Sequence, residues 1–201
     1  MLLRHSQTSP YVRKVTVLLE ETGLRDRVRI ETMDGWSEPD GLTTDNPLSM
    51  VPTLVLDDDS TLFDSPVICE YLDSLHDGSP MIPDVGDARW QVLREQALAD
   101  GILDCAILIF LEQHRRPAEL RWDWWLALKQ RAIHRALDEL DRTAIALSDR
   151  VDLGAIAIAV ALAYLDLRGA VDDWRQDRPA LARWFTDFAQ RPSMIATAPP
   201  N

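Results

Sequence analysis

The sequence predicts an α/β domain followed by an all-helical domain, and three observations support this division. Strand and helix patterns alternate over roughly the first 76 residues. The next stretch, residues 76–86, is rich in glycine and proline, as linkers are. Beyond residue 87 the apolar residues recur only at helical spacing. We therefore expect domains at residues 1–77 and 87–201, joined by a linker at residues 78–86.

Composition and charge restrict the function. The 201-residue chain is 46% hydrophobic and 27% charged, which suits a packed globular core. Its net charge of −12 argues against nucleic acid and against an anionic membrane surface, because phosphate binding needs a basic face. The longest apolar run, residues 153–165, is too short to span a bilayer, and the N-terminus lacks a secretion signal. We expect a cytoplasmic protein.

The first strand is expected at residues 2–5 and the first helix at residues 11–22. Ser9 before Pro10 is a helix-start signal, since serine caps and proline suits the first helical position. A helix N-terminus offers unpaired N–H groups and partial positive charge, so it can bind an anion. The Ser9 hydroxyl can add a further hydrogen bond. From this stretch alone, an ordinary capping serine is the more frequent explanation.

Three further strands and a second helix complete the predicted first domain. Strands are expected at residues 28–33, at 50–56 and from residue 61, and the last two form a hairpin. A loop with a helical turn is expected at residues 35–47. Asp64-Ser65-Pro66 repeats the start signal and predicts a helix to Leu75. The predicted order is β-α-β-α-β-β-α.

The second domain is predicted to be entirely helical. Helices are expected at residues 90–111, 122–147 and 153–167, and a last one from Pro179 to Arg191-Pro192. Asp152 caps the third helix, which is apolar on every side and is therefore expected at the centre of the domain. Cys69 and Cys105 are expected to be buried free thiols. We expect no metal, because no cluster of side chains has metal-ligand spacing.

Val51-Pro52 enters the third predicted strand. Proline cannot donate to a strand ladder, so it normally stands at an edge or at the first residue. A cis bond before Pro52 would leave the Val51 backbone free to pair with an extended ligand. Such a bond has a frequency of about 5% without other information.

Together these features resemble the glutathione S-transferase superfamily over nearly the whole chain, and in detail a group of small bacterial transferase-like proteins. Ser9-Pro10-Tyr11-Val12 is similar to the active-site turn of the serine-type classes. The other motifs that resemble the family are Asn46-Pro47, Val51-Pro52, Asp64-Ser65, Gly101, Asp152-Leu153, Ile156-Ala157, Tyr164-Leu165 and Arg191-Pro192-Ser193. The resemblance implies a thioredoxin-like first domain, an all-α second domain, a cis Pro52 and a homodimer.

The resemblance also implies that glutathione is the substrate or ligand. Its thiol has a pKa of about 8.5, and a hydrogen bond from Ser9 would favour the thiolate. Thr8 is a second hydroxyl that can take this role. Val51, presented by Pro52, would exchange backbone hydrogen bonds with the cysteinyl part of glutathione.

The same resemblance implies a binding site for the γ-glutamyl end of glutathione. Its carboxylate would meet the N–H groups of the helix that Ser65 opens, and Asp64 would face its ammonium. Asp100 of the partner subunit would reach that ammonium as well. The alternative for Asp100 is a solvated helix face.

Some positions depart from the family pattern, among them Ala155, which stands three residues after Asp152 where the family usually has an aspartate. Family members often carry a lysine just before the Val-Pro, whereas Ser49-Met50 stands here, so the glycyl carboxylate loses its usual cation. Arg13, Lys14 or a residue of the loop at 35–46 can substitute. Weaker glutathione binding is the alternative.

The predicted function is conjugation of glutathione to electrophiles, as in detoxification, with thiol activation by Ser9. The candidates for the electrophile pocket are Tyr11, Leu108, Leu111, His114 and Trp122. Packing between helices or subunits explains these aromatic residues equally well. A glutathione-dependent reductase or peroxidase is the first alternative, and the absence of cysteine at positions 9 and 12 counts against it. A non-catalytic glutathione-binding or regulatory module is the second.

Overall fold

A computed structural model describes residues 1–34, 37 and 39–200, and its contacts divide the chain into two compact units. The first unit contains Met1–Gly86 and the chain from Pro192 onwards, and the second contains Asp87–Arg191. The first is a mixed α/β unit and the second is helical, which confirms the predicted fold class. The sequence-based division placed the chain after Pro192 with the helices.

The first unit is built on a four-stranded sheet in the order β2-β1-β3-β4. The strands are β1 (Leu2–His5), β2 (Arg29–Thr32), β3 (Thr53–Val55) and β4 (Thr61–Leu62). β1 is parallel to β2 and antiparallel to β3, and β3 is antiparallel to β4. β3 is shorter than the predicted strand 50–56. It begins only after Pro52, which has no N–H for the ladder.

Three helices accompany these strands, namely α1 (Pro10–Glu21), α2 (Asp40–Asp45) and α3 (Ser65–Asp73). α1 packs against α3 and buries its apolar face, including Val12, Val15 and Leu18. α2 is the helical turn expected in the loop at 35–47. Of that loop, Gly35, Trp36 and Glu38 lie outside the described residues.

The second unit consists of α4 (Gly86–His114), α5 (Asp123–Thr143), α6 (Leu153–Arg168) and α7 (Pro179–Phe188). The predicted segment 122–147 ends in a separate 3₁₀ turn at Ala144–Leu147. α6 is buried almost throughout, as its apolar sequence predicted. Asp152 caps it by accepting a hydrogen bond from the Ala155 N–H at 2.9 Å. Among the described residues, no helix is long and apolar enough to cross a membrane.

A further short helix, α8 (Pro192–Ala196), follows α7. α7 ends at Phe188, just before the Arg191-Pro192 that was predicted to end it, but the sequence analysis did not predict that Pro192 would begin a further helix. α8 packs on α1 in the first unit. Arg13 donates to the Met194 carbonyl at 3.0 Å, and Ser193 donates to Glu21 at 2.5 Å.

The chain after α3 is fixed by one carboxylate. Asp73 accepts hydrogen bonds from the Met81 N–H at 2.7 Å and the Ile82 N–H at 2.9 Å. Its Oδ1 also lies 2.9 Å from Nε2 of the buried His76. The predicted linker therefore starts as an ordered segment held at the end of α3.

Candidate functional site

Three chain segments meet at one end of the sheet, where β1 and β4 end and β3 begins. β1 leaves the sheet after His5 and leads to Ser9, while Arg4 pairs with Thr53, the first residue of β3. Val51 and Pro52 stand immediately before that residue. Leu62, the last residue of β4, pairs with Leu54 and leads to Asp64 and Ser65. The register therefore brings the segments of Ser9, Val51-Pro52 and Asp64-Ser65 to the same end of the sheet.

Ser9 is the N-cap of α1, as the sequence predicted. Its Oγ accepts the Val12 N–H at a long 3.4 Å, and Pro10 occupies the first turn. The hydroxyl proton of Ser9 is not used by this bond, so Ser9 can also donate to a ligand. Thr8, the other candidate hydroxyl, is exposed and precedes the cap.

The Val51-Pro52 peptide bond is cis. The turn before it is held by side chains, since the Met50 carbonyl accepts from Asn46 Nδ2 at 3.1 Å and from Thr53 Oγ1 at 2.8 Å. Asn46 and Thr53 are buried and bond to each other at 3.0 Å. Val51 lies outside the strand ladder, and among the described residues no backbone group bonds to it. Sequence reasoning missed the supporting role of Thr53, although a threonine one residue beyond the Val-Pro was visible.

The start of α3 holds an unsatisfied hydroxyl. Asp64 is the N-cap and accepts the N–H of Ser65, which is the first helical residue. Ser65 is fully buried, and its Oγ has no hydrogen-bond partner among the described residues. A buried hydroxyl without a partner costs about 1–3 kcal/mol, so a ligand oxygen at this helix start would relieve the penalty.

The two cations proposed as replacements for the lysine are engaged elsewhere. Arg13 bonds to the Met194 carbonyl, and burial lowers the pKa of its guanidinium. The Lys14 side chain is fully buried. Met50 itself is 62% exposed and offers only a thioether and aliphatic surface at its position. Lys14 is therefore buried and Arg13 is half-buried and bonded to the chain, while the loop candidates Gly35, Trp36 and Glu38 lie outside the described residues.

The remaining candidates are distributed over both units. Asp100 is half-buried on α4 in the helical unit. Tyr11 belongs to α1 in the first unit. His114 stacks on Phe110 at a centroid distance of 4.7 Å and is not part of the cavity described next. Among the described residues, no group of acidic, histidine or cysteine side chains could hold a metal ion.

Three of the predicted electrophile-pocket residues line one cavity of the helical unit. This cavity has a volume of about 750 Å³ and lies between the C-terminal end of α4 and the start of α5. Its lining comprises Leu108, Leu111, Glu112, Arg115, Arg116, Pro117, Leu120, Trp122 and Trp125. Leu108, Leu111 and Trp122 therefore come together, whereas His114 does not join them.

Glu112 closes one side of this cavity and was not predicted from the sequence. Its carboxylate is buried and accepts the Trp122 N–H at 2.9 Å and Arg116 Nε–H at 2.8 Å. The bond from the Trp122 backbone, followed by Arg116, holds the pKa of Glu112 below its ordinary value. The Glu112–Arg116 spacing is a helical ion-pair signal, but the bond to Trp122 spans a turn that sequence periodicity does not define.

Two family models match this chain. The glutathione S-transferase N-terminal domain matches residues 8–75, and the C-terminal domain matches residues 123–187. The GST-like protein YibF of Escherichia coli K12, itself described as uncharacterized, is 35% identical over 204 residues and covers 100% of both chains.

Solved structures agree with these matches. A glutathione transferase family member from Pseudomonas fluorescens Pf-5 with bound glutathione has a TM-score of 0.96 at 45% identity, covering 100% of this chain and 99% of that one. A structure from the same organism with bound S-(propanoic acid)-glutathione has a TM-score of 0.92 at 44% identity, covering 100% of both chains.

Proposed function

This chain belongs to the glutathione S-transferase family, and on that premise we propose that it binds glutathione and conjugates it to electrophiles through its sulfur. The observation that carries the proposal is the buried Ser65 Oγ at the start of α3, which has no hydrogen-bond partner among the residues that the structure describes. A γ-glutamyl carboxylate placed there would accept the Ser65 hydroxyl and the free N–H groups of the helix. The similar Pseudomonas fluorescens protein with bound glutathione supports glutathione as the ligand.

The Val51 backbone is the proposed site for the cysteinyl part of glutathione. Its N–H and C=O lie outside the ladder at the end of the sheet where Ser9 and Ser65 also arrive. Pairing with a short extended peptide would satisfy both groups through main-chain hydrogen bonds. This arrangement directs the thiol toward the start of α1, where Thr8 and Ser9 stand.

Ser9 is the proposed catalytic residue. Its oxygen already accepts the Val12 N–H, so its proton is available for the sulfur anion. Together with the partial positive charge of the α1 N-terminus, this bond would favour the thiolate over the thiol. Thr8 lies outside the cap and lacks this fixed geometry, so we assign the role to Ser9.

The conjugation step follows from a stabilised thiolate. The thiol proton leaves to water, and the thiolate attacks the electrophilic carbon, for example one that carries a halide. A C–S bond forms as the C–halide bond breaks, and the halide leaves with the bonding electrons. The thioether bound to the Pseudomonas fluorescens protein is a ligand of the same product class.

Two further assignments belong to this proposal. A homodimer would allow Asp100 of the second copy to meet the ammonium of glutathione, alongside Asp64. The cavity lined by Leu108, Leu111 and Trp122 would receive the electrophile. Thiol-disulfide chemistry is the weaker alternative, because Cys69 is buried on α3 and Cys105 belongs to the helical unit.

Calorimetric titration with glutathione tests the proposal. We expect Ser65→Ala to weaken binding about tenfold, because one charge-assisted hydrogen bond is lost. The control is Ser74→Ala, which removes a hydroxyl at the other end of α3, where it donates to the Tyr71 carbonyl. No binding by the unaltered chain, or unchanged binding by Ser65→Ala, would contradict the proposed site.

A further inference from the structure

The cavity of the helical unit has the size of a small-molecule site. Its volume of about 750 Å³ falls inside the range of roughly 300–1,000 Å³ found for ligand pockets. All of its lining residues belong to the helical unit.

One wall of the cavity is aromatic. The rings of Trp122 and Trp125 are nearly parallel, with an interplanar angle of 12° and a centroid distance of 6.2 Å. Lys129 lies over the Trp125 ring at 4.1 Å and holds that ring by a cation–π contact. Trp122 is 58% exposed, so a flat apolar ligand that covered it would remove a large aromatic surface from water.

Another part of the cavity lining carries positively charged side chains. Arg115, Arg116 and Glu112 are the charged residues of the lining. The Glu112 carboxylate is already occupied by Arg116 Nε–H and by the Trp122 N–H. Among the described residues, Glu112 is the only acceptor that the structure gives Arg116, so its terminal nitrogens remain available for an anion.

This local charge is opposite in sign to that of the molecule. A chain with a net charge of −12 repels anions in general. The available nitrogens of Arg116 beside apolar walls therefore favour ligands that combine an anion with an apolar body. Carboxylate geometry suits the planar end of a guanidinium group.

We propose that the second-substrate cavity recognises flat aromatic carboxylates, whose ring covers Trp122 and whose carboxylate bonds to Arg116. Glu112 acts as a positioning residue, because it fixes both Arg116 and the backbone of Trp122. The inference rests on the proposed function only in taking this cavity as the electrophile site. Binding of the acid itself does not require glutathione.

The test compares 1-naphthoate with its uncharged amide, 1-naphthamide, by titration calorimetry of the full chain. We expect the acid to bind about tenfold more tightly than the amide, as one charge-assisted hydrogen bond provides. Arg116→Gln is expected to abolish that preference. Arg131→Gln, which removes an exposed arginine of α5 outside the cavity lining, is expected to keep it.

A second measurement uses only the unaltered chain, so its result does not depend on whether the variant folds. Added salt is expected to weaken binding of 1-naphthoate while leaving 1-naphthamide unchanged, because only the acid binds through charge. Equal binding of acid and amide, no binding of either, or a preference that survives in Arg116→Gln would overturn the inference. A parallel glutathione titration separates the two claims, since loss of glutathione binding alone contradicts only the proposed function.

Discussion

At the scale of single residues, Ser9 and Ser65 show that the same sequence signal can place a serine hydroxyl in two different positions at a helix start. Both serines precede a proline, and both were predicted as helix starts. Ser9 is the cap itself, whereas Asp64 caps α3 and shifts Ser65 to the first helical position. Ser65 is therefore left buried with an unused hydroxyl. Capping statistics predict the helix start but not which neighbour accepts the bond.

The network around Asp152 shows a residue contact that the sequence does not reveal. Arg150 bonds to Asp152 at 2.7 Å and to Glu95 at 2.7 Å, across 55 positions of sequence. A Cβ atom at Gly154 would come within 2.5 Å of Glu95 Oε2, so glycine leaves the space that Glu95 needs. The network supports the cap in a chain that has Ala155 where the family pattern has an acidic partner.

We predict that Asp152→Ala lowers the free energy of unfolding by at least about 1 kcal/mol, because the cap of the most buried helix is lost. Urea denaturation measures the difference, and Asp172→Ala, at an exposed position, is the control. Asp152→Asn should recover most of the loss, since asparagine also caps. Equal stability of Asp152→Ala and the control would contradict this account.

At the scale of elements, Glu112 joins the end of α4 to the start of α5. Its pKa is lowered from an ordinary 4.5, first by the Trp122 N–H and then by Arg116. A carboxylate with a lowered folded-state pKa stabilises the fold fully above its unfolded pKa. The contribution is lost as the pH falls through the folded-state value.

We therefore predict that Glu112→Gln is less stable than the unaltered chain at neutral pH, and that the difference shrinks below about pH 4.5. Thermal unfolding at a series of pH values measures it. Glu119→Gln, an exposed change nearby, should show no such dependence. A stability difference that stayed constant down to acidic pH would contradict the role of the charge.

The helix α8 is too short to be predicted from the spacing of its apolar residues. Its five residues are too few to carry a helical pattern, and an isolated helix of that length is unstable. Burial of Met194 and the bonds of Arg13 and Ser193 to their partners stabilise it. The sequence analysis interpreted Arg191-Pro192 only as the end of the preceding helix, and α8 was therefore not predicted.

At the scale of the whole molecule, the predicted fold class, an α/β unit and a helical unit, was correct. Alternating elements, the hairpin and the buried α6 follow from local patterns that tertiary structure preserves. That Ser9, Val51 and Ser65 lie on segments at the same end of the sheet was expected only from the family resemblance. The pattern of a single strand does not determine its register with its neighbours. The cavity depends on the loop between α4 and α5 and was predicted only in part.

The proposed homodimer gives a prediction at this scale. Sedimentation should give twice the chain mass of 22.8 kDa. Asp100→Asn should weaken glutathione binding about fivefold without dissociating the dimer, because it removes one partly exposed charge pair with the ammonium. A monomeric chain, or a dimer whose affinity is insensitive to Asp100→Asn, would contradict the assignment of Asp100.

The central claim is that the Ser9 hydroxyl stabilises the thiolate of bound glutathione. The most direct measurement is the pH titration of thiolate absorbance in the glutathione complex of the unaltered chain, Ser9→Ala and Thr8→Ala. We predict that Ser9→Ala raises the midpoint by about one pH unit, equivalent to about 1.4 kcal/mol, and that Thr8→Ala leaves it unchanged. An unchanged midpoint in Ser9→Ala, or a shift in Thr8→Ala instead, would contradict the claim.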